Sequence, residues 1–240
     1  VQTPRSVLAG ILRSDPARPR VTFYEDTSGP TLGERVELSA KVLANWVNKA
    51  GNALQDEYDL GPGSVVRLSL PPHWRALYWA LGVWSVGGAV DLTEAGPADL
   101  LICDDPEAAT IEPKPDEVVL VTLDALARAH TGPLPAGAMD EARELASYGD
   151  QLVALAEPDA ASLALITDRA QSPYGAVVPH RDWPTRSRVR VAGDLVQVLQ
   201  NALAAWAVDG SVVLTRNGSV AEGKPQPDRL TAERVTLDLA

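Results

Sequence analysis

The chain has 240 residues, 45% of them hydrophobic, and a formal net charge of −11. That length holds one large domain or two small ones, with apolar residues enough for a sizeable core. The acidic balance argues against nucleic-acid binding, because even the densest basic stretch, Arg181 to Arg190, contains only four arginines.

In chain order, Thr3 and Pro4 predict a helix start, with Val7, Leu8, Ile11 and Leu12 on one face. "RVTFYEDTSGPTLGERVEL" reads as two extended runs around a Gly-Pro turn, a β-hairpin. Ser39 caps a longer helix whose apolar residues Val42, Leu43, Trp46, Val47, Ala50 and Leu54 recur at helical spacing. "VVRLSL" (65–70) is a strand. "PPHWRALYWALGVWSVGG" is a helix apolar on almost every side, which predicts a sandwiched position. "AVDL", "LLIC" and "EVVLVTL" follow as short apolar strands. Residues 124–159 are Ala-rich and acidic, a place for a subdomain boundary. "ASLALIT" (161–167) resumes the strand pattern, and "GDLVQVLQNALAAWAVDG" is a helix closed by Gly210. "SVVLT" and "ERVTLDL" read as the last strands. Helices alternating with continuous apolar strands predict an α/β fold with a mostly parallel sheet and helices on both faces.

The one cysteine, Cys103, follows Leu100, Leu101 and Ile102 and is expected inside a strand; a lone cysteine suits a reducing cytoplasm. The N-terminal residues lack a signal-peptide pattern. The longest uncharged stretch, Ala76 to Val90, has 15 residues, short of the roughly 20 a membrane span needs. His73, His130 and His180 lack metal-ligand spacing, and "EGKP" (222–225) lacks the upstream glycine and the Ser/Thr of a P-loop. Trp74, Trp79 and Trp84 are expected in the core.

The order of elements from the hairpin through "LGPGSVVRLSLPPHWRALYWALGVWSVGGAVDL" resembles the start of adenylate-forming enzymes, the acyl- and aryl-CoA synthetases and peptide-synthetase adenylation domains. The resemblance runs on to "SLALITDRAQSPYGAVVPHRDW" (162–183) and "LAAWAVDGSVVL", and so covers nearly the whole chain. In the family a phosphate loop rich in glycine and hydroxyl residues, ending Gly-x-Pro-Lys-Gly-Val, stands where this chain has 167–177, with a histidine a few residues on. Pro173, Gly175 and His180 match that pattern, and Val177 and Val178 fit a strand after it. The resemblance implies a shortened acyl-CoA-synthetase N-terminal domain over 1–240, with a subdomain boundary near 124–160.

The departures bear on activity. Asp168 and Gln171 replace the two loop glycines, Arg169 and Ala170 replace hydroxyl residues, and Tyr174 stands at the lysine. Glycines let backbone N–H groups close around phosphate oxygens. Asp168 adds a charge like that of a triphosphate, a repulsion of about 4 kcal/mol at roughly 4 Å and an effective dielectric near 20, offset in part by Arg169. The family's later motifs, including the lysine-bearing C-terminal domain, have no counterpart in the sequence. "TEAGPAD" replaces the helix that usually follows "AVDL".

Three functions follow as expectations. The first is a non-catalytic relative acting as a binding or regulatory module. The second is an enzyme component that binds an acyl or aryl acid, or a nucleotide, with the missing motifs on a partner chain. The third is a scaffold. No catalytic residue and no cofactor is expected, and ATP–Mg binding is disfavoured. The candidate contacts are Thr167, Asp168, Arg169, Gln171, Ser172, Tyr174, Gly175 and His180. The plain alternative for 167–175 is a strand-to-strand turn. For Tyr174 it is an exposed turn aromatic, and for His180 a structural histidine. An unidentified protein partner fits each function; nucleic acid and a membrane span do not.

Overall fold

The computed structural model describes residues 1–94, 96–110, 115, 117–217 and 227–239. Its elements in order are α1 (Pro4–Ser14), β1 (Pro19–Asp26), β2 (Arg35–Ser39), α2 (Ala40–Asp56), β3 (Val65–Ser69), α3 (Trp74–Val86), β4 (Ala89–Asp91) and β5 (Leu100–Cys103). There follow β6 (Glu117–Leu120), β7 (Met139–Asp140), α4 (Glu141–Glu144), β8 (Leu163–Ile166) and β9 (Gln171–Pro173). The chain continues with β10 (Arg188–Val191), α5 (Leu195–Ala207), β11 (Ser211–Asn217), α6 (Pro227–Ala232) and β12 (Leu237–Asp238).

Helix starts fall where side chains can take up orphan backbone N–H groups. Thr3 and Ser6 form a reciprocal capping box at α1, and Asp194 and Gln197 form another at α5. Ser39 caps α2 and His73 caps α3. Gly87 ends α3 at φ 93°, a left-handed conformation that only glycine holds without strain.

The strands divide between two sheets. Five run in the order β12-β10-β11-β1-β2 and seven in the order β7-β6-β5-β3-β4-β8-β9. Every pairing is parallel except β1 with β2 and β8 with β9. The mostly parallel α/β expectation therefore holds, on two sheets rather than one. The expected strand at 233–239 shrinks to Leu237–Asp238, because Glu233 and Arg234 turn the chain out of α6. The expected strand at Val177 and Val178 is a loop. Residues 222–225 lie outside the described residues.

All thirteen residues of α3 are buried. It packs against α1 and α2 and against β3 and β4, within one core that also takes in Val21 and Phe23 of β1 and Leu214 of β11. Two of its polar side chains find partners in other elements, whereas the Trp74 and Trp79 indole N–H groups are buried without one. Arg75 pairs with buried Glu141 at 2.9 Å, and the Trp84 indole donates to the Ala164 carbonyl of β8 at 2.7 Å. Trp74, Trp79 and Trp84 are all core residues, as is Cys103 on β5.

The outer face of the five-stranded sheet is polar. Val21 and Phe23 point to the core, so Thr22 and Tyr24 point away. There Glu233, just after α6, accepts hydrogen bonds from Tyr24, from Arg35 at 2.9 Å and from Arg188. Burial works against its charge, but these bonds hold the carboxyl down at about 2, from an ordinary 4.5.

Two predictions follow from this packing. Leu81, 2% exposed at the middle of α3, has no room to be replaced: Leu81→Ala costs about 2–5 kcal/mol in denaturant unfolding, and a loss below about 1 kcal/mol contradicts the enclosed position. Glu233 has its folded pKa below its unfolded one, so its contribution is full above about 4.5 and lost as pH falls toward about 2. The stability gap between parent and Glu233→Gln accordingly narrows across that window; a gap constant with pH contradicts the network.

Candidate functional site

Strand β3 lies between β4 and β5, so successive strands leave it on opposite sides. Such a switch point opens a crevice at the carboxyl ends of parallel strands. A cleft of about 820 Å³ lies there. It is lined by Ser69, Leu70 and Pro71 beyond β3, Leu92, Thr93 and Glu94 beyond β4, Asp104 beyond β5, Asp168 beyond β8, and the first residues of α5.

The connection from β4 to β5 shapes one wall. Residues 92–99 must return from the carboxyl end of β4 to the start of β5, and eight residues reach at most about 26–29 Å. None of the described residues in this stretch is helical, so the trimmed crossover expected from "TEAGPAD" is an extended strap. It crosses β3, where Arg67 holds it: the guanidinium donates to the Gly96 carbonyl at 2.6 Å and to Asp91 at 3.0 and 3.2 Å. Asp99 fixes the far end through the Val65 N–H at 2.7 Å.

The cleft is electronegative. Glu94, Asp104, Asp168 and Asp194 line it, and Arg67, the cation among its described lining residues, is already bound to Asp91. Burial, with Asp105 adding to it, pushes the Asp104 carboxyl up from its ordinary value. The N-terminal end of α5 also opens here, and a helix N-terminus attracts anions. In this fold that position already holds a carboxylate, since Asp194 accepts the Gln197 N–H at 2.8 Å.

The phosphate-loop position is a tight turn between antiparallel strands. Thr167 N–H donates to the Ala170 carbonyl at 3.0 Å, and Ala170 N–H donates to the Thr167 hydroxyl at 3.1 Å. Two backbone donors are thus used inside the turn.

No family model matches the sequence. A TIGR03089 family protein of Mycobacterium tuberculosis (strain ATCC 25618 / H37Rv) is 32% identical over 248 residues, 96% of this chain and 95% of that protein. The chain belongs to the TIGR03089 family. Among solved structures it is similar to a Brucella canis acyl-CoA synthetase, with a TM-score of 0.70 and 18% identity over 96% of this chain and 46% of that one. It is also similar to the N-terminal domain of FACL13 from Mycobacterium tuberculosis, with a TM-score of 0.70 and 14% identity over 99% of this chain and 62% of that one. A third is the Klebsiella oxytoca NpsA N-terminal subdomain, with a TM-score of 0.64 and 14% identity over 99% of this chain and 61% of that one. The chain thus spans about half to three-fifths of these solved chains, and it has the fold of the N-terminal domain of adenylate-forming enzymes.

Within this TIGR03089 fold the eight candidate contacts scatter. Asp168 lies on the cleft, with Thr167 and Arg169 beside it in the turn and Gln171 at the start of β9. Ser172 is half-buried in β9. His180 is exposed on the loop between β9 and β10. Gly175 donates its N–H to the Ala160 carbonyl at 2.8 Å, and a Cβ there would crowd the same oxygen at 3.1 Å. Tyr174 is 2% exposed, not a surface aromatic. Its hydroxyl donates to the Gly88 carbonyl at 2.7 Å and approaches that of Trp84 at 3.3 Å. Burial alone raises its pKa, so it stays a neutral donor. Tyr174 is thus a strut under the end of α3.

Reading the sequence alone missed Arg67, Glu94, Asp104 and Asp194 as cleft residues. The signal for them is positional: each lies in β3 or just past a strand, or caps a helix, at the switch point.

Tyr174→Phe removes the hydroxyl from a buried carbonyl and costs about 1–3 kcal/mol, measured by chemical unfolding; Tyr174→Lys, which buries a charge, costs more. A Phe variant as stable as the parent contradicts the strut.

Proposed function

We propose that this chain is a non-catalytic binding or regulatory module on the adenylate-forming N-terminal fold, with a cleft that rejects nucleoside triphosphates. The observation that carries the reading is the charge of the cleft: among its described lining residues stand four carboxylates, Glu94, Asp104, Asp168 and Asp194, and one arginine, already paired. Phosphoryl and adenylyl chemistry depends on positioned cations and N–H donors around developing negative charge. Here the donors of Thr167 and Ala170 are spent within the turn, the helix N-terminus is occupied by Asp194, and Tyr174 supplies no cation. The turn still follows β8, which pairs in parallel with β4, and stands at the mouth of the cleft, which supports reading it as a phosphate-loop position refilled by a hairpin.

The test is acid-dependent exchange of pyrophosphate into ATP, across a panel of fatty and aromatic acids with magnesium. The expected result is no exchange above a heat-killed control. Exchange with any acid that Asp168→Lys alters overturns the reading, because it places a productive triphosphate beside the turn.

A further inference from the structure

On the outer face of the five-stranded sheet lies a second hollow, of about 500 Å³, which shares no lining residue with the cleft. Five arginines border it: Arg18, Arg35, Arg186, Arg188 and Arg234. In a chain with 21 basic and 32 acidic residues, five cations in one hollow run against the overall charge. Their partners do not match them. Glu233 and Glu37 serve Arg35, and Glu233 also serves Arg188. Asp209 is shared by Arg18 at 3.6 Å, Arg186 at 3.2 Å and fully buried Arg20 at 2.8 Å. Arg234 has no ion-pair partner among the described residues, and the Arg186 side chain is 69% exposed. Five arginines against these three carboxylates leave at least two positive charges unmatched. The crowding is visible at Arg18, whose pKa is lowered by burial and then by Arg20, with Arg186 adding to the effect.

The backbone also bears on the hollow. Four non-glycine residues among those described have positive φ: Asp59, Arg186, Asp209 and Arg234. Two are Arg186 and Arg234, at 67° and 52°, and a third is Asp209, the carboxylate that Arg186 shares, at 58°. Asparagine or glycine holds this conformation with less strain. Asp209 and Arg234 follow α5 and α6, where a left-handed residue commonly ends a helix, and this conformation sets where the Arg234 side chain leaves the backbone at the hollow.

We propose that this hollow binds a small phosphate-bearing polyanion, with Arg234 supplying a guanidinium that has no ion-pair partner among the described residues, Arg186 an exposed one whose Nε alone meets the shared Asp209, and Arg18 and Arg35 the rim. Guanidinium groups match phosphate oxygens in bidentate geometry. A net charge of −11 repels an extended polyanion at long range, so the fit is to a compact ligand such as pyrophosphate or the phosphate chain of a nucleotide. The site is separate from the cleft, and its occupation carries no chemistry.

The experiment titrates the parent and an Arg186→Asn/Arg234→Asn variant with pyrophosphate, ATP without magnesium, and sulfate, by calorimetry in low salt. Asparagine suits both backbone conformations, so the variant keeps or gains thermal stability. The expected result is one pyrophosphate per chain, bound at least about tenfold more weakly by the variant and weakened in the parent by added salt. ATP binding as tightly as pyrophosphate assigns the site to a nucleotide's phosphates, and weaker ATP binding to the free anion. The single Arg234→Asn, which removes a side chain with no ion-pair partner, loses part of the affinity and serves if the double variant is poorly folded. Absent pyrophosphate binding by the parent, equal binding by the variants, or sulfate binding as tightly as pyrophosphate each overturns the proposal. None of these outcomes touches a cleft residue, so the exchange assay stands or falls separately.

Discussion

A helix with no solvent face has to be enclosed, and α3 imposes that condition on everything around it. Thirteen buried residues, among them three indoles, a tyrosine and an arginine, need cover on every side. β3 and β4 cover one side and α1 and α2 another, and the first sheet reaches the start of the helix, where the Phe23 ring meets His73 edge-on at 4.4 Å. Several polar groups on α3 are satisfied from different parts of the chain: the Arg75 guanidinium from Glu141, the Trp84 indole from Ala164, and carbonyls at its end from Tyr174, while the Trp74 and Trp79 indole N–H groups are buried without a partner. A buried charge left alone costs several kcal/mol, so these partners locate α4, β8 and the loop after β9 as firmly as the apolar contacts do.

This enclosure bears directly on the site. The segment at the phosphate-loop position begins at β8, which α3 holds through Trp84, and ends at Tyr174, which braces the end of α3. A loop tied down at both ends inside the core is a short hairpin, with little freedom to wrap a ligand. The crevice itself comes from strand order, because β4 and β5 leave β3 in opposite directions whatever side chains they carry. Fold therefore sets where a ligand site stands, and the side chains at strand ends set what it accepts. In this chain those side chains are acidic.

The local part of this architecture was legible in the sequence. Thr3, Ser39 and Asp194 stand where helices begin, and "VVRLS", "LLIC" and "SVVLT" read as strands because continuous β-branched and leucine runs suit a sheet buried on both faces. The division into two sheets was not legible, since β1 pairs with β11 across most of the chain (Val21 with Val212), and no local pattern encodes a parallel partner so distant. Tyr174, read as a candidate contact with an exposed turn aromatic as the alternative, is a buried strut because its hydroxyl meets the carbonyls at the end of α3, a partner some ninety residues away. The arginine hollow was only half legible: Arg186 and Arg188 come from the densest basic run, but Arg18, Arg35 and Arg234 join them from distant parts of the chain. A stretch such as Arg181 to Arg190 looked like the densest basic feature, yet Arg181 is exposed away from the hollow and Arg190 is spent on Asp238.

The two surfaces have opposite electrostatics, and the reason is structural. In the cleft, carboxylates fall at strand ends and a helix cap, where short polar side chains satisfy turns and N–H groups; Asp194 and Asp99 do this at α5 and β3. On the outer sheet face, long side chains lie flat over the strands and bury their stems, which favours arginine. Arg35 and Arg188 cover Thr22, Tyr24 and Ser211 in this way while their guanidinium groups converge on Glu233. One such carboxylate neutralises the face only in part, because it sits at the centre of a ring and Arg186 and Arg234 stand at the rim. A fold that places acids at strand ends and arginines on an uncovered sheet face separates charge between two sites, so an anion repelled by the first meets attraction at the second.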